Sequence, residues 1–445
     1  MKPKAYIKTF GCQMNEHDTF QMQNVLERDG YAMTDEPGDA ELILLNTCSV
    51  RQNPENKVYS FLGSIREHKQ ERPGVIIAVG GCVAQQEGET ILKREKTVDL
   101  VFGPDNVFRL PEMLAEVKRG ARVCDTRWMP RERKIQNFIP EEWIEHGHVE
   151  GVKAYISITK GCNNNCTFCI VPTTRGREVS REKDNIVREA EALVRNGAKE
   201  IWLLGQNVNS YQGSSDYRFY NLLDELSQIE GLYRIRFTSP HPKDWNNALS
   251  DLMAERKAIC KQLHLPFQAG SDSILHAMRR NHTLDEYIAK VRYLQQVAPT
   301  VELSTDLIVG FPGESEEDFE RTLHCLREVG FAQVFAFKYS RRPGTPASDM
   351  DDNVPREVKE ERLARAITLQ REIMLAKQPT YVGTVQEVLI DGAHNRKRGW
   401  MNGRTDSFLP IMIEDSTLEI GDIVQARVIS YQSHWLVGER LASAS

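Results

Sequence analysis

Gly161-Cys162-Asn163-Asn164-Asn165-Cys166-Thr167-Phe168-Cys169 sets three cysteines in a C-x3-C-x2-C pattern on one short loop. About 2% of the chain is cysteine, so a given cysteine has partners at both +4 and +7 by chance in about 0.04% of cases. The spacing therefore points to function. Three thiolates can hold three irons of a 4Fe–4S cluster. The fourth iron then keeps an open position, as a catalytic zinc with three protein ligands does. An open iron can bind and reduce an external molecule. A four-ligand zinc site would need a nearby fourth Cys or His, and this loop has none.

The loop follows a strand-like segment at 153–159. Further strand candidates lie at 200–204, 233–238, 262–265, 301–309 and 333–337, each followed by a helical pattern. Six βα units are too few for a closed eightfold barrel and predict an open, partial (β/α)6 barrel over 151–378. The cysteine loop sits at its carboxyl end, where such barrels place their chemistry. A long charged helix, 355–378, closes this domain before Pro379.

Before it, residues 1–120 alternate strands (4–10, 41–46, 75–80, 98–102) with helices (16–29, 55–70, 84–95, 107–119). That rhythm, with near-continuous apolar strands, predicts an α/β domain with a doubly wound parallel sheet. Residues 121–150 read as a linker. Its window 115–134 holds seven basic and three acidic residues, a local net of +4, between a solvated connector and an RNA-facing one. Beyond it, 379–441 is short strands and turns, a small antiparallel β-barrel of about five strands.

The whole chain has 445 residues, 40% of them apolar and 27% charged, enough for more than one core. Net charge is −6, so a nucleic-acid partner must be met by local patches. No apolar run is long enough to span a membrane, and the N-terminus has no export-signal pattern. The expectation is a cytoplasmic protein. Nine cysteines, an odd number, suit metal or redox chemistry better than a disulfide framework.

Three of these cysteines, Cys12, Cys48 and Cys82, each follow a strand directly: Phe10-Gly11-Cys12, Asn46-Thr47-Cys48 and Gly80-Gly81-Cys82. Strand ends line one edge of an open parallel sheet, so the three thiols converge there. Small buried hydrophobes would be the bland alternative. Cys124, Cys260 and Cys325 have no partners at ligand spacing and read as structural.

These motifs resemble a known family. The C-x3-C-x2-C loop after a first barrel strand, with Phe168 before the third cysteine, resembles the radical S-adenosylmethionine enzymes. The stretches Thr9-Phe10-Gly11-Cys12-Gln13-Met14-Asn15, Asn46-Thr47-Cys48-Ser49-Val50-Arg51 and Gly80-Gly81-Cys82-Val83-Ala84-Gln85 resemble the N-terminal domain of the methylthiotransferases among them. The likeness spans essentially the whole chain, ending in an RNA-binding barrel of the kind called TRAM. It implies two 4Fe–4S clusters, one on Cys12, Cys48 and Cys82 and a catalytic one on Cys162, Cys166 and Cys169. It also implies two uses of S-adenosylmethionine. One methylates a sulfur at the first cluster; the other is cleaved at the second to a 5′-deoxyadenosyl radical that starts methylthio transfer.

The family's branches modify isopentenyladenosine in tRNA, threonylcarbamoyladenosine in tRNA, or an aspartate of a ribosomal protein. Thr159–Pro172 in number order, with Arg175-Gly176-Arg177-Glu178-Val179-Ser180-Arg181 and Leu204-Gly205-Gln206-Asn207-Val208-Asn209-Ser210-Tyr211, resembles the first branch most. The acceptor would be carbon 2 of the adenine in a tRNA anticodon stem-loop. A reducing donor such as flavodoxin or ferredoxin is implied, and a monomer is expected. By barrel position, Gly205, Gln206 and Asn207 are expected to receive the methionine amine. Ser239 and His241, Gln268 and Ser271, and Asp306 to Gly310 are candidates for ribose and adenine contacts. Arg175, Arg177 and Arg181 are candidates for phosphate contacts or structural ion pairs. In the last domain, Arg396, Lys397, Arg398, Trp400 and Arg404 are the RNA-binding candidates, although 379–441 carries six basic and eight acidic residues. The rival class is an RNA-bound iron–sulfur redox sensor or electron carrier, which would usually coordinate every iron fully.

Overall fold

The computed structural model describes residues 2–49, 52–130, 141–145 and 147–442. Val50 and Arg51 of the second cysteine motif, and Arg131, Glu132, Arg133, Lys134 and Pro140 of the linker, lie outside the described residues.

The N-terminal domain is a six-stranded parallel sheet: β1 (Lys4–Thr9), β2 (Ala32–Met33), β3 (Leu42–Thr47), β4 (Ile76–Gly81), β5 (Leu100–Phe102) and β6 (Val123–Asp125). The order is β2-β1-β3-β4-β5-β6. Every residue of β3 and β4 is buried, as in strands covered on both faces. Leu42, Leu44 and Ala78 pack under Met22, Val25 and Leu26 of the helix Gln13–Arg28. The alternate residues Ile43, Leu45, Ile77 and Val79 face Val58 and Leu62 on the other side. The winding reverses between β1 and β3, the switch point at whose carboxyl edge such sheets bind ligands.

Two strands here escape the sequence pattern. β2 is two residues long, and β6 lies inside the stretch read as a linker. β6 joins because its backbone pairs with β5 and Asp125 anchors Arg109 and Arg127. Three residues flanked by charges carry no apolar run to announce this.

The central domain contains all six anticipated strands. They are β7 (Lys153–Ser157), then, after a small ladder of β8 (Thr159–Lys160) with β9 (Val179–Ser180), β10 (Glu200–Leu204), β11 (Arg234–Phe237), β12 (Gln262–His264), β13 (Glu302–Val309) and β14 (Gln333–Lys338). They pair in parallel as β11-β10-β7 and β12-β13-β14, and a parallel bridge between Ile235 and Ile259 joins the two triplets. β7 and β14 end the array, so it is an open partial barrel. Ile156, Ile201, Leu203, Ile235 and Leu303 point outward into the helical layer. The long helix runs Arg356–Tyr381, through Pro379 rather than stopping before it. Proline in a last turn forfeits one hydrogen bond, and Tyr381 compensates by packing on the next domain's core and donating to Glu302 at 2.5 Å.

That next domain is a closed barrel, β15 (Val385–Ala393), β16 (Trp400–Thr405), β17 (Pro410–Glu414), β18 (Ile423–Gln432) and β19 (Trp435–Arg440), in the order β15-β16-β17-β19-β18. It is not wholly antiparallel: β17 and β19 run parallel. β15 runs on through Gly392, with a register shift after Ile390.

Candidate active site

Hairpin pairing of β8 with β9 (Thr159 opposite Ser180, Lys160 opposite Val179) pinches off residues 161–178 as a loop at the carboxyl end of β7. Gly161 has φ +79°, and a Cβ there would lie 2.3 Å from the Arg177 carbonyl oxygen, so only glycine fits. Within the loop Cys162, Cys166 and Cys169 stand close enough for their charges to oppose one another. The Asn164 N–H donates to Cys162 Sγ at 3.4 Å, and Arg280 Nη1 to Cys166 Sγ at 3.4 Å. Burial pushes the Cys162 thiol up to about 11 and Cys169 to about 12; Arg342 pulls Cys169 the other way. Such thiolates need a cation to stabilise them, and a cationic iron cluster has the chemistry to do so. Among the described residues no three His, Cys, Asp or Glu side chains are spaced to hold a single metal ion. A cubane differs in this respect, because it takes one thiolate at each of several iron corners.

The second trio lies at the edge of the N-terminal sheet. Cys12 follows β1 and caps the helix Gln13–Arg28, Cys48 follows β3, and Cys82 begins the helix Cys82–Glu87 after β4. Cys12 and Cys48 thus flank the switch point. Gly81 has φ +95°, and a Cβ would strike the Thr47 carbonyl at 2.5 Å, so glycine lets the third strand end approach the second. Cys12 is exposed, yet a hydrogen bond with Cys48, the Arg175 guanidinium and the backbone N–H groups of Asn15 and Met14 bring its thiol down to about 6. A buried amide network ties the crevice: Asn15 Nδ2 donates to the Thr47 carbonyl at 3.0 Å, and Asn46 Nδ2 to the Asn15 carbonyl at 2.7 Å.

Arg175 joins the two centres. It ends the short helix Val171–Arg175 that follows Cys169, is 6% exposed, and donates from Nε to Cys82 Sγ at 3.3 Å. Its other arm pairs with buried Asp18 at 2.5 Å. It is therefore committed to protein rather than to phosphate, as is Arg181, which is buried against Glu189. Arg177 alone of the three is exposed. Sequence reasoning missed Asn15, Asn46, Asp18, Arg280 and Arg342. Asn15 and Asn46 sit within three residues of cysteines and were open to suspicion on that ground; the others approach only through the fold.

Candidates for S-adenosylmethionine contact lie at successive strand ends. A Cβ on Gly205 would meet Thr159 Oγ1 at 2.0 Å, and the Gln206 side-chain Oε1 accepts from the Gly161 N–H. Asn207, 1% exposed, donates to Asp244 at 2.9 Å, while its Oδ1 is buried without a hydrogen-bond partner. Gln268 Oε1 is likewise buried and unpartnered. Ser239 and Gln268 hold φ of +56° and +71°, strained conformations of the sort kept at functional sites. Two orphaned acceptors suit the amino groups of that cofactor. Asp306 lies within β13, 3.5 Å from His264 of β12.

A cavity of about 550 Å³ opens beside the loop, walled by Trp128 and Met129 after β6 and by Pro172, Arg177 and Glu178. In the C-terminal barrel, exposed Arg396 and Arg398 flank Lys397, whose Nζ lies 4.5 Å from the Trp400 ring centre. Arg404 is turned elsewhere, toward Asp391 at 3.6 Å and the rings of Phe408 and Trp435.

Residues 4–103 match the family described as "Uncharacterized protein family UPF0004", residues 156–326 the radical SAM superfamily, and residues 379–441 the TRAM domain. The chain is 41% identical over 436 residues to a tRNA-2-methylthio-N(6)-dimethylallyladenosine synthase of Geotalea uraniireducens (strain Rf4), covering 98% of both. It is 45% identical over 439 residues to a protein of the same name from Syntrophobacter fumaroxidans (strain DSM 10017 / MPOB), covering 98% of this chain and 95% of that one. A radical S-adenosylmethionine methyltransferase from Kitasatospora setae, solved with cobalamin and a [4Fe-4S] cluster, is similar in fold: TM-score 0.56, 16% identity, 78% of this chain and 77% of that one. The radical SAM match implies an iron–sulfur cluster and S-adenosylmethionine. By near-full-length identity the chain belongs to the radical SAM family of tRNA-2-methylthio-N(6)-dimethylallyladenosine synthases.

Proposed function

We propose that this chain transfers a methylthio group to carbon 2 of isopentenyladenosine next to the anticodon of tRNA, using two molecules of S-adenosylmethionine and two 4Fe–4S clusters. The observation that carries the reading is the pair of three-thiol centres, one at each sheet's carboxyl edge, joined by Arg175. Adenine carbon 2 bears an unactivated C–H bond that no side-chain acid or base removes. When bound, the two clusters supply the electron that cleaves S-adenosylmethionine and the sulfur that is transferred.

The protein's own residues do the rest. Cys162, Cys166 and Cys169 hold one cluster; Cys12, Cys48 and Cys82 hold the other. Each trio leaves one iron without a protein ligand. Asn207 Oδ1 and Gln268 Oε1 accept hydrogen bonds from the cofactor's amino groups, and Gly205 lets the end of β10 pack against Thr159 beside them. Arg280 and Arg175 donate to ligand sulfurs, which orients them and offsets their charge. Arg396, Lys397, Arg398 and Trp400 meet the RNA, with cations on phosphate and the indole on a base. Arg404 stands on the same strand as Trp400, its side chain held within the barrel by Asp391, Phe408 and Trp435. The enzyme acts as a monomer in the cytoplasm and takes electrons from a flavodoxin- or ferredoxin-like donor.

Nucleoside analysis of bulk tRNA from a deletion strain tests the reading. The methylthio group should vanish from isopentenyladenosine and return with the intact gene. Unchanged levels would move the assignment to threonylcarbamoyladenosine or to a protein acceptor. Reconstituted protein that forms no 5′-deoxyadenosine with S-adenosylmethionine and dithionite would instead favour a redox carrier.

A further inference from the structure

The two centres differ in how the cations facing them are balanced. At the sheet edge the Arg175 guanidinium reaches Cys82 Sγ, and the Asp18 carboxylate at 2.5 Å offsets its charge. At the cysteine loop Arg280 donates from Nη1 to Cys166 Sγ at 3.4 Å and from Nη2 to the Pro266 carbonyl at 2.8 Å. Arg280 is 5% exposed, and its Nε is buried without a hydrogen-bond partner. Among the described residues no carboxylate lies within ion-pairing distance of it, so the ligand sulfur is the one anionic group its hydrogen bonds reach. The nearby imidazoles add no charge. Burial, and after it the charge of Arg280, holds His241 well below its usual range, and burial brings His282 down to about 4. Elsewhere on the loop Arg342 and Glu178 act with opposite signs, on Cys169 and Cys162.

The backbone fixes Arg280 in this place. The helix Asp272–Ala277 ends with the Arg279 N–H on the His276 carbonyl and the Arg280 N–H on the Leu275 carbonyl, both at 2.9 Å. Arg279 and Asn281, on either side of Arg280, hold φ of +55° and +52°, a left-handed backbone that is costly for residues other than glycine. The same turn grips the loop between two of its cysteines. Thr167 donates from its N–H to the Met278 carbonyl at 3.0 Å and from Oγ1 to the Ala277 carbonyl at 2.9 Å.

We infer that Arg280 is a positioning residue that raises the reduction potential of the loop centre and leaves that of the sheet-edge centre alone. This rests on the function proposed above, in which the loop trio holds a 4Fe–4S cluster. The potential of such a site follows its net charge and the hydrogen bonds to its sulfurs. Reduction adds one negative charge, and a buried, unbalanced cation favours that state. At the sheet edge Asp18 offsets the field of Arg175. The bias therefore falls on the centre that must pass an electron on. One electron from a low-potential donor goes through it to the sulfonium of S-adenosylmethionine. The S–C5′ bond breaks, the sulfur of methionine keeps the lone pair, and C5′ keeps the unpaired electron.

Anaerobic redox titration read by EPR tests this on reconstituted full-length protein. Each centre is followed alone, in chains whose other three cysteines are replaced by alanine. Arg280→Gln should cut the ratio of reduced to oxidised loop centre at a fixed potential about tenfold, a midpoint about 59 mV more negative for one electron. Arg280→Lys, which keeps the charge, should recover most of that loss. The sheet-edge midpoint should not move in either variant. In chains with the wild-type residue at 280 and nitrogen-15-labelled arginine, pulsed EPR of the reduced loop centre should show a nitrogen coupling that Arg280→Lys removes. An unchanged midpoint in Arg280→Gln at about four irons per chain, or an equal shift of both centres, would overturn the inference. Should Arg280→Gln fail to hold iron, absence of the nitrogen coupling with arginine at 280 would overturn it by itself. A loop trio that binds no cluster in the wild type would instead remove the proposed function.

Discussion

Arg175 has few alternatives open to it. Its guanidinium is buried between the Asp18 carboxylate and the Cys82 sulfur, so any neutral replacement strands a buried charge. Breaking a buried pair by removing one partner typically costs about 3–5 kcal/mol. Arg175→Gln should therefore lower the unfolding free energy by about that amount, seen as a lower urea midpoint, and reduce iron held by the N-terminal trio. Arg175→Lys should recover part of the stability but not the bidentate geometry. A midpoint equal to wild type for Arg175→Gln would show the pair to be idle. Two histidines set a second residue-scale expectation. Burial brings the imidazoles of His17 and His282 down to about 4 from 6.5. As pH falls the unfolded chain takes up protons first, so their stabilisation is complete above about 6.5 and drains away toward 4. Chemical denaturation across that window should show a falling midpoint, with a shallower slope in His282→Gln.

At the scale of elements, the turn between β16 and β17 enters the inner face of the partial barrel. Phe408 meets Trp202 edge-on, ring centres 5.2 Å apart, and holds φ +67° to do so. From β11, Arg236 donates to the carbonyls of Asp406 and Thr405 while pairing with Glu200 at 2.9 Å, and Arg234 donates to those of Arg404 and Glu387. These arginines are 1% exposed and fasten the C-terminal barrel to the central domain. Arg236→Ala should release it: limited trypsin digestion should cut between the two domains faster than in wild type. Equal rates would mean that the long helix alone holds the barrel. None of this docking is legible in sequence, since Arg234-Ile235-Arg236-Phe237 reads as an ordinary alternating strand. By contrast β3, β4 and the six central strands announce themselves through unbroken or alternating apolar runs. β2 and β6 are too short to do so and form only because neighbouring backbone is available to pair.

Across the whole molecule, convergence was readable where spacing or strand ends enforce it. Cys162, Cys166 and Cys169 share one loop, and Cys12, Cys48 and Cys82 end three adjacent strands, β1, β3 and β4. What bridges the two centres was not readable, because Arg175 to Cys82 and Arg342 to the Ser49 carbonyl (3.0 Å) span long sequence separations. Arg404 shows the same limit: it lies on the strand carrying Trp400 yet faces Asp391 and Phe408. The central claim is that each trio of thiols anchors its own cubane. Iron analysis with Mössbauer spectroscopy after anaerobic reconstitution tests it most directly, on wild type and on two variants with Cys12, Cys48 and Cys82 or Cys162, Cys166 and Cys169 replaced by alanine. The account predicts about eight irons per wild-type chain and about four, all in 4Fe–4S form, in either variant. About four irons in the wild type, or an undiminished count after loss of either trio, would contradict it.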